Sequence, residues 1–271
     1  MKNGTEKILS YLYESKSEKS RRGQTIATAV SALLVASFLA LVIFRFYKTG
    51  QLDEKYWFFF LRSSTWIFLG KGLFGTIVSS AVSLLIALAL GFLLMNARIS
   101  ARRGCRVLAS AVIEFTRGVP TLLFIYFFFL VLPRLGVKFP PLLKIAVPVA
   151  LSASGVVAEV LRSGVNAVPR GQAEAAAALG MNTIQTRFHI VFPQAFRFVV
   201  PSLVSEIVIV VKDTTFSYIV NFPDLMQNAR VLISNYDAML SVYLLIAIIY
   251  IIVNYILNKI SERLSENLGR K

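Results

Sequence analysis

The sequence predicts an all-α integral membrane protein with six transmembrane helices, and three observations carry that reading. Of 271 residues, 56% belong to the apolar set, only 16% are charged, and mean hydropathy is +0.67. A soluble domain holds about a quarter charged residues, and a soluble chain of this composition would expose too much apolar surface to stay dissolved. Second, six apolar stretches approach or exceed the ~20 residues that cross a bilayer at ~1.5 Å each. Third, the basic residues between those stretches divide unevenly, 17 on one side against 8 on the other.

Taken in order, residues 1–25 form a polar N-terminal segment, followed by the uncharged run Ile26–Phe44. That run outlasts a signal-peptide core and has no clear cleavage site after it, so it reads as a retained helix over 26–47. Residues 48–71 form a linking segment in which Tyr56-Trp57-Phe58-Phe59-Phe60 and Trp66-Ile67-Phe68 suit anchoring at a membrane interface. A core over 72–260 then holds five spans. Gly72–Ala97 and Ala238–Asn258 are free of internal charge. Val107–Leu132 carries Glu114 and Arg117, Leu142–Val165 carries Glu159 and Arg162, and Phe198–Val220 carries Glu206, Lys212 and Asp213. Charge at such depth is costly, so these three spans should face protein or water, while the clean ones can face lipid. Pro148 and Gly155 are expected to loosen the fourth span, which a gating helix could use. A basic tail over 261–271 ends the chain.

The charge asymmetry predicts both termini in the cytoplasm of a multi-pass plasma-membrane protein. Much of the net charge of +15 is then topology signal and attraction to anionic membrane lipid, and no nucleic-acid partner is required. One Cys and one His are too few for a structural zinc site, and Cys105 cannot form an internal disulfide. The nearest echo of a phosphate loop is Gly70-Lys71, but Thr65 stands where its upstream glycine belongs. No catalytic residue, metal site or cofactor is therefore expected in this chain.

The 166–197 loop is the most patterned connection. Pro169 suits a first helical turn, Ala173–Leu179 are strong helix formers, and Gly180 can end the helix in the left-handed region. Asn182 and Gln185 make a capping-box start for a second short helix that Pro193 bends or ends. The product is a compact knob at a glycine corner, suited to sit in a cleft of another protein.

Here the sequence resembles a known family. Glu174-Ala175-Ala176, Gly180 and Ile190-Val191-Phe192-Pro193, at their spacing, look like the EAA motif of ATP-binding-cassette importer permeases, with Phe192 in place of the usual Leu. Ala158-Glu159-Val160-Leu161-Arg162, Val168-Pro169-Arg170-Gly171-Gln172, Arg117-Gly118-Val119-Pro120 and Lys212-Asp213-Thr214-Thr215-Phe216 are similar to the polar amino-acid uptake branch. The extra first helix and the segment around Gly50-Gln51-Leu52-Asp53 resemble the glutamate permeases of actinobacteria in particular. One departure stands out: Phe124 occupies a position where the family commonly has Gln.

The resemblance implies the type I importer permease fold with a cytoplasmic coupling helix. It implies two ATPase subunits that carry ATP and Mg, a second permease subunit (the same chain or a sister), and an extracellular binding protein. Glu174, Ala175, Ala176, Gly180, Ile190 and Pro193 would form the coupling knob. Glu159 and Arg162, i and i+3, either brace the joint before the knob or meet substrate from the inner half. Glu206, Lys212, Asp213 and Thr214 are candidates for the substrate path or its structural support, since an amino-acid zwitterion needs an anion and a cation partner. On buried charge alone the competing reading is an ion-coupled secondary transporter, but no internal repeat is found.

Overall fold

The computed structural model describes residues 18–269, all helices and connections, in two compact units divided at Trp57–Phe58. Most of the polar N-terminal segment and the last two residues of the tail lie outside the described residues. The first unit contains α1, Glu18–Lys48, whose apolar stretch Gly23–Lys48 has none of its best window buried. An apolar helix must satisfy its hydroxyls internally. Thr28 and Ser31 accordingly donate to the carbonyls of Gln24 and Ala27 at 2.9 and 2.8 Å.

In the second unit, α2 runs over Ser63–Arg98 and so starts well before the expected Gly72. The aromatic stretch preceding it is not wholly an interfacial belt. Phe59 is completely buried and stacks on Tyr236, with centroids 4.3 Å apart and rings 3° from parallel. Its carbonyl accepts from Thr65 Oγ1 at 2.7 Å, which ties the turn to α2. Trp66 fits the anchoring expectation better: it stays half exposed, and its indole donates to the Phe60 carbonyl at 2.7 Å.

The remaining helices are α3 (Arg103–Gly118), α4 (Thr121–Tyr126), α5 (Pro141–Ala167), α6 (Arg170–Ala178), α7 (Thr183–Gln185), α8 (Phe192–Asp213), α9 (Leu225–Tyr236) and α10 (Met239–Gly269). The core gathers Ala87 of α2, Ile125 of α4, Val149 and Val157 of α5, and Val199 and Val210 of α8. Gly155 serves packing here, because a Cβ there would lie 2.3 Å from Thr116 Oγ1 on α3; α5 runs unbroken through both Gly155 and Pro148. Gly75 is tighter still, with a Cβ falling 2.1 Å from the Pro223 carbonyl oxygen. Overpacking costs about 1–3 kcal/mol or more. Gly75→Ala should therefore lower the thermal unfolding midpoint of the detergent-purified chain sharply, because neither backbone can yield; Gly70→Ala, which meets nothing within 4 Å, is the control.

Among the described residues five helices are long and apolar enough to cross a membrane, and a sixth candidate passes that test only as a bent pair. The expected span Val107–Leu132 is that pair: α3 and the segment Thr121–Leu135 meet at 96°. Pro120 is the cause, since it forces the preceding Val119 out of the helical region to φ −90°, ψ 124°. The fifth span also changes character. After α8 the chain makes a 3₁₀ stretch over Thr214–Val220, turns at Asn221 with φ +54°, and restarts as α9. Asp224 caps α9, accepting from the Gln227 amide at 2.7 Å.

Candidate functional site

The two breaks come together. Thr121, the first residue of α4, donates through Oγ1 to Asp213 Oδ2 at 2.7 Å and lies 2.9 Å from Ser152 Oγ of α5. One residue on, buried Thr214 lies 3.0 Å from Ser80 Oγ, midway along the 36-residue α2. Interrupted helices free polar groups at depth, where they persist only against protein or a water-filled cavity. The cluster therefore joins four helices through side-chain oxygens at the middle of the bundle.

Within it the expected charges separate. Glu206 is only 4% exposed. Asp213 is half-buried and engaged with Thr121. Lys212 is exposed, and its ammonium has no ion pair or hydrogen bond among the described residues. It continues a stripe of exposed positions on α8, namely Ser202, Ser205 and Ile209, at helical spacing. An ammonium held against hydrocarbon is expensive, so this face of α8 addresses water or another subunit. Phe124, at the position where the resemblance led one to expect Gln, is instead buried and packs edge-on to Phe115 at 5.8 Å.

A second polar constellation ties the far ends of three helices. Glu159 of α5 pairs through Oε1 with Arg98 of α2 and through Oε2 with Arg162 Nη2 at 2.8 Å. Glu114 of α3 stands 3.9 Å from both Arg98 and Arg117. Both oxygens of Glu159 are thus occupied by guanidinium groups, an arrangement that braces the helix ends. Glu159→Gln should cost about 1–2 kcal/mol, more than an exposed pair and less than a fully buried one. A lowered unfolding midpoint that is less sensitive to added salt than in the wild type would be the signature.

The glycine corner forms as expected. Gly180 adopts φ +78°, and Asn182 and Gln185 make a reciprocal capping box with two bonds of 2.9 Å. Ala176 is buried, whereas Glu174, Ala175 and Pro193 are exposed and Ile190 is half-buried. Leu179, Ile184 and Phe188 project from the corner at 83%, 69% and 54% exposure. The second helix is not short, however. Pro193 sits in the first turn of α8, and the wider π stretch Thr186–Val191 precedes it, so the helix passes from α7 into the span over Thr183–Val220 without a break. A π turn accommodates a residue that lacks an amide donor.

Residues 87–269 match the family described as binding-protein-dependent transport system inner membrane component. The chain belongs to this family. Among the permeases of this kind to which it is similar, the glutamate transport system permease protein GluD of Corynebacterium glutamicum is 35% identical over 74% of this chain and 76% of the relative. The probable glutamine ABC transporter permease protein GlnP of Bacillus subtilis is 31% identical over 61% of this chain and 76% of the relative. The solved amino acid ABC transporter with histidines superposes with a TM-score of 0.69 at 26% identity, covering 74% of this chain and 94% of that one. An inward-facing form of the MetNI methionine ABC transporter shares the fold, with a TM-score of 0.64 at 19% identity over 76% of this chain and 99% of that one. The chain is accordingly a polar amino-acid ABC importer permease, a multi-pass membrane protein. The glycine corner, the ion-paired helix ends and the central cluster except Ser80 fall inside the matched range, and α1 falls outside it.

Sequence reasoning missed Thr121, Ser152, Ser80 and Arg98 as partners in these clusters. A signal existed for one of them: Thr76, Ser79, Ser80 and Ser83 recur at helical spacing in an otherwise apolar run, and all are buried. None existed for Arg98, which reads as one of several loop charges.

Proposed function

We propose that this permease carries glutamate or another polar amino acid, and that the α6–α7 corner couples it to a separate ATPase pair. The observation that carries the substrate reading is Lys212, an exposed cation with no partner among the described residues, beside an aspartate already engaged. A carboxylate from the substrate would supply the missing charge. The relative named for glutamate transport supports the same assignment. In this reading both termini are cytoplasmic, as the 17 to 8 asymmetry of basic residues indicates, and the corner lies beneath the bilayer.

A second permease subunit, the same chain or a sister, would complete the path along the exposed face of α8. An extracellular binding protein would deliver substrate from above. ATP and Mg belong to the ATPase subunits, whose closure would move the corner and bias the bundle between inward-open and outward-open states. Glu174, Ala175 and Gly180, all exposed, would face that partner. Glu159 and Arg162 would hold the helix ends while the corner moves, and Glu206, Asp213 and Thr214 would shape the path around Lys212.

The test is reconstitution with the neighbouring subunits in vesicles, scoring which amino acids stimulate ATP hydrolysis and are taken up. Stimulation by glutamate and by few neutral amino acids is expected. Uptake driven by an ion gradient with no ATPase present would sink the coupling reading, and stimulation by cationic amino acids alone would sink the substrate reading.

A further inference from the structure

Between the two arms of the glycine corner lies a cavity of about 740 Å³, within the usual range for small-molecule sites. Arg170, in the first turn of α6, and Arg187, in the π stretch, both line it. Asn166 and Thr183 add an amide and a hydroxyl, Ala173 and Ala177 form an apolar wall, and no carboxylate lines it. Arg187 spends one donor on the Ile99 carbonyl at 3.3 Å. Arg170 has no ion pair or side-chain hydrogen bond among the described residues. Two guanidinium groups line one cavity that offers them no carboxylate, and their planar forks match phosphate oxygens. Leu179, Ile184 and Phe188, the exposed apolar residues of the corner, are not among the lining.

We infer that this cavity binds a phosphate group, carried either by an anionic lipid headgroup or by a free phosphate-bearing solute, and that occupancy stiffens the corner. The inference rests on the cavity and its charges, and it is independent of which amino acid is transported. The full chain is placed in phosphatidylcholine nanodiscs and titrated with inorganic phosphate at constant ionic strength. In a second arm it is placed in nanodiscs containing phosphatidylglycerol with no added phosphate. The readouts are the unfolding midpoint and hydrogen exchange over residues 166–191. In at least one arm the wild type should show a saturable rise in midpoint and slower exchange, and the responding arm identifies the source. Arg170→Gln should weaken that response at least ten-fold in apparent affinity, Arg170→Lys should restore part of it, and Arg170→Gln with Arg187→Gln should abolish it. Arg170→Gln alone suffices if the double variant fails to fold, since it breaks no side-chain bond. No response of the wild type in either arm would overturn the inference, as would an Arg170→Gln variant that responds like the wild type.

Discussion

Uptake by a Gly180→Val variant should fall by an order of magnitude or more while the protein still inserts and purifies. The backbone at this corner holds φ +78°. An L side chain in the left-handed region costs roughly 1–2 kcal/mol, and a β-branched one is a true outlier there. Nothing crowds the position, since an added Cβ meets no atom within 4 Å. The whole effect therefore comes from the backbone, and the corner must re-form at another angle. Gly180→Asn, a residue that tolerates this region, is the control and should keep most of the uptake. The decisive measurement is the ratio of amino acid transported to ATP hydrolysed in vesicles. A Gly180→Val transporter with a normal ratio and normal rate would show that the shape of the corner does not matter.

Lys212→Met should raise the apparent KM for uptake roughly ten- to hundred-fold, the equivalent of one charge-assisted hydrogen bond of about 1.5–3 kcal/mol. Its stability should hardly change, because the ammonium has no partner among the described residues to lose. Asp213→Asn should do less to uptake, since an amide oxygen can still accept from Thr121. The pair of variants thus separates a group that meets substrate from one that holds two helix breaks together. Unchanged kinetics in Lys212→Met, measured with radiolabelled glutamate, would assign the exposed face of α8 to subunit contact instead.

How far the sequence could be read depended on whether the signal was local. The apolar runs, the Glu159–Arg162 pair, the capping box and the glycine corner are each written within a few consecutive residues, and all appear in the structure. What was not legible depends on residues far apart in the chain. Thr121 and Asp213 are 92 positions apart, and Ser80 and Thr214 are 134 apart. A hydrophobicity run also cannot show a bend: Val107–Leu132 has the length and composition of one span, yet Val119-Pro120 turns it through 96°. Pro193 misled in the opposite direction, because the π stretch before it absorbs the misfit of a residue without an amide donor and the helix runs on. Phe59 reads like its aromatic neighbours, and only the distant Tyr236 distinguishes it as core.

The unbroken run from Thr183 through Asp213 has a mechanical meaning of its own. At ~1.5 Å per residue it is a rod of roughly 45 Å, anchored at one end in the capped corner and at the other in the Thr121 contact. Tilting such a rod by about 5° displaces its tip by about 4 Å, more than the length of a hydrogen bond. A modest push at the corner end is then enough to make or break the contact at the other, with no chain of small relays between them.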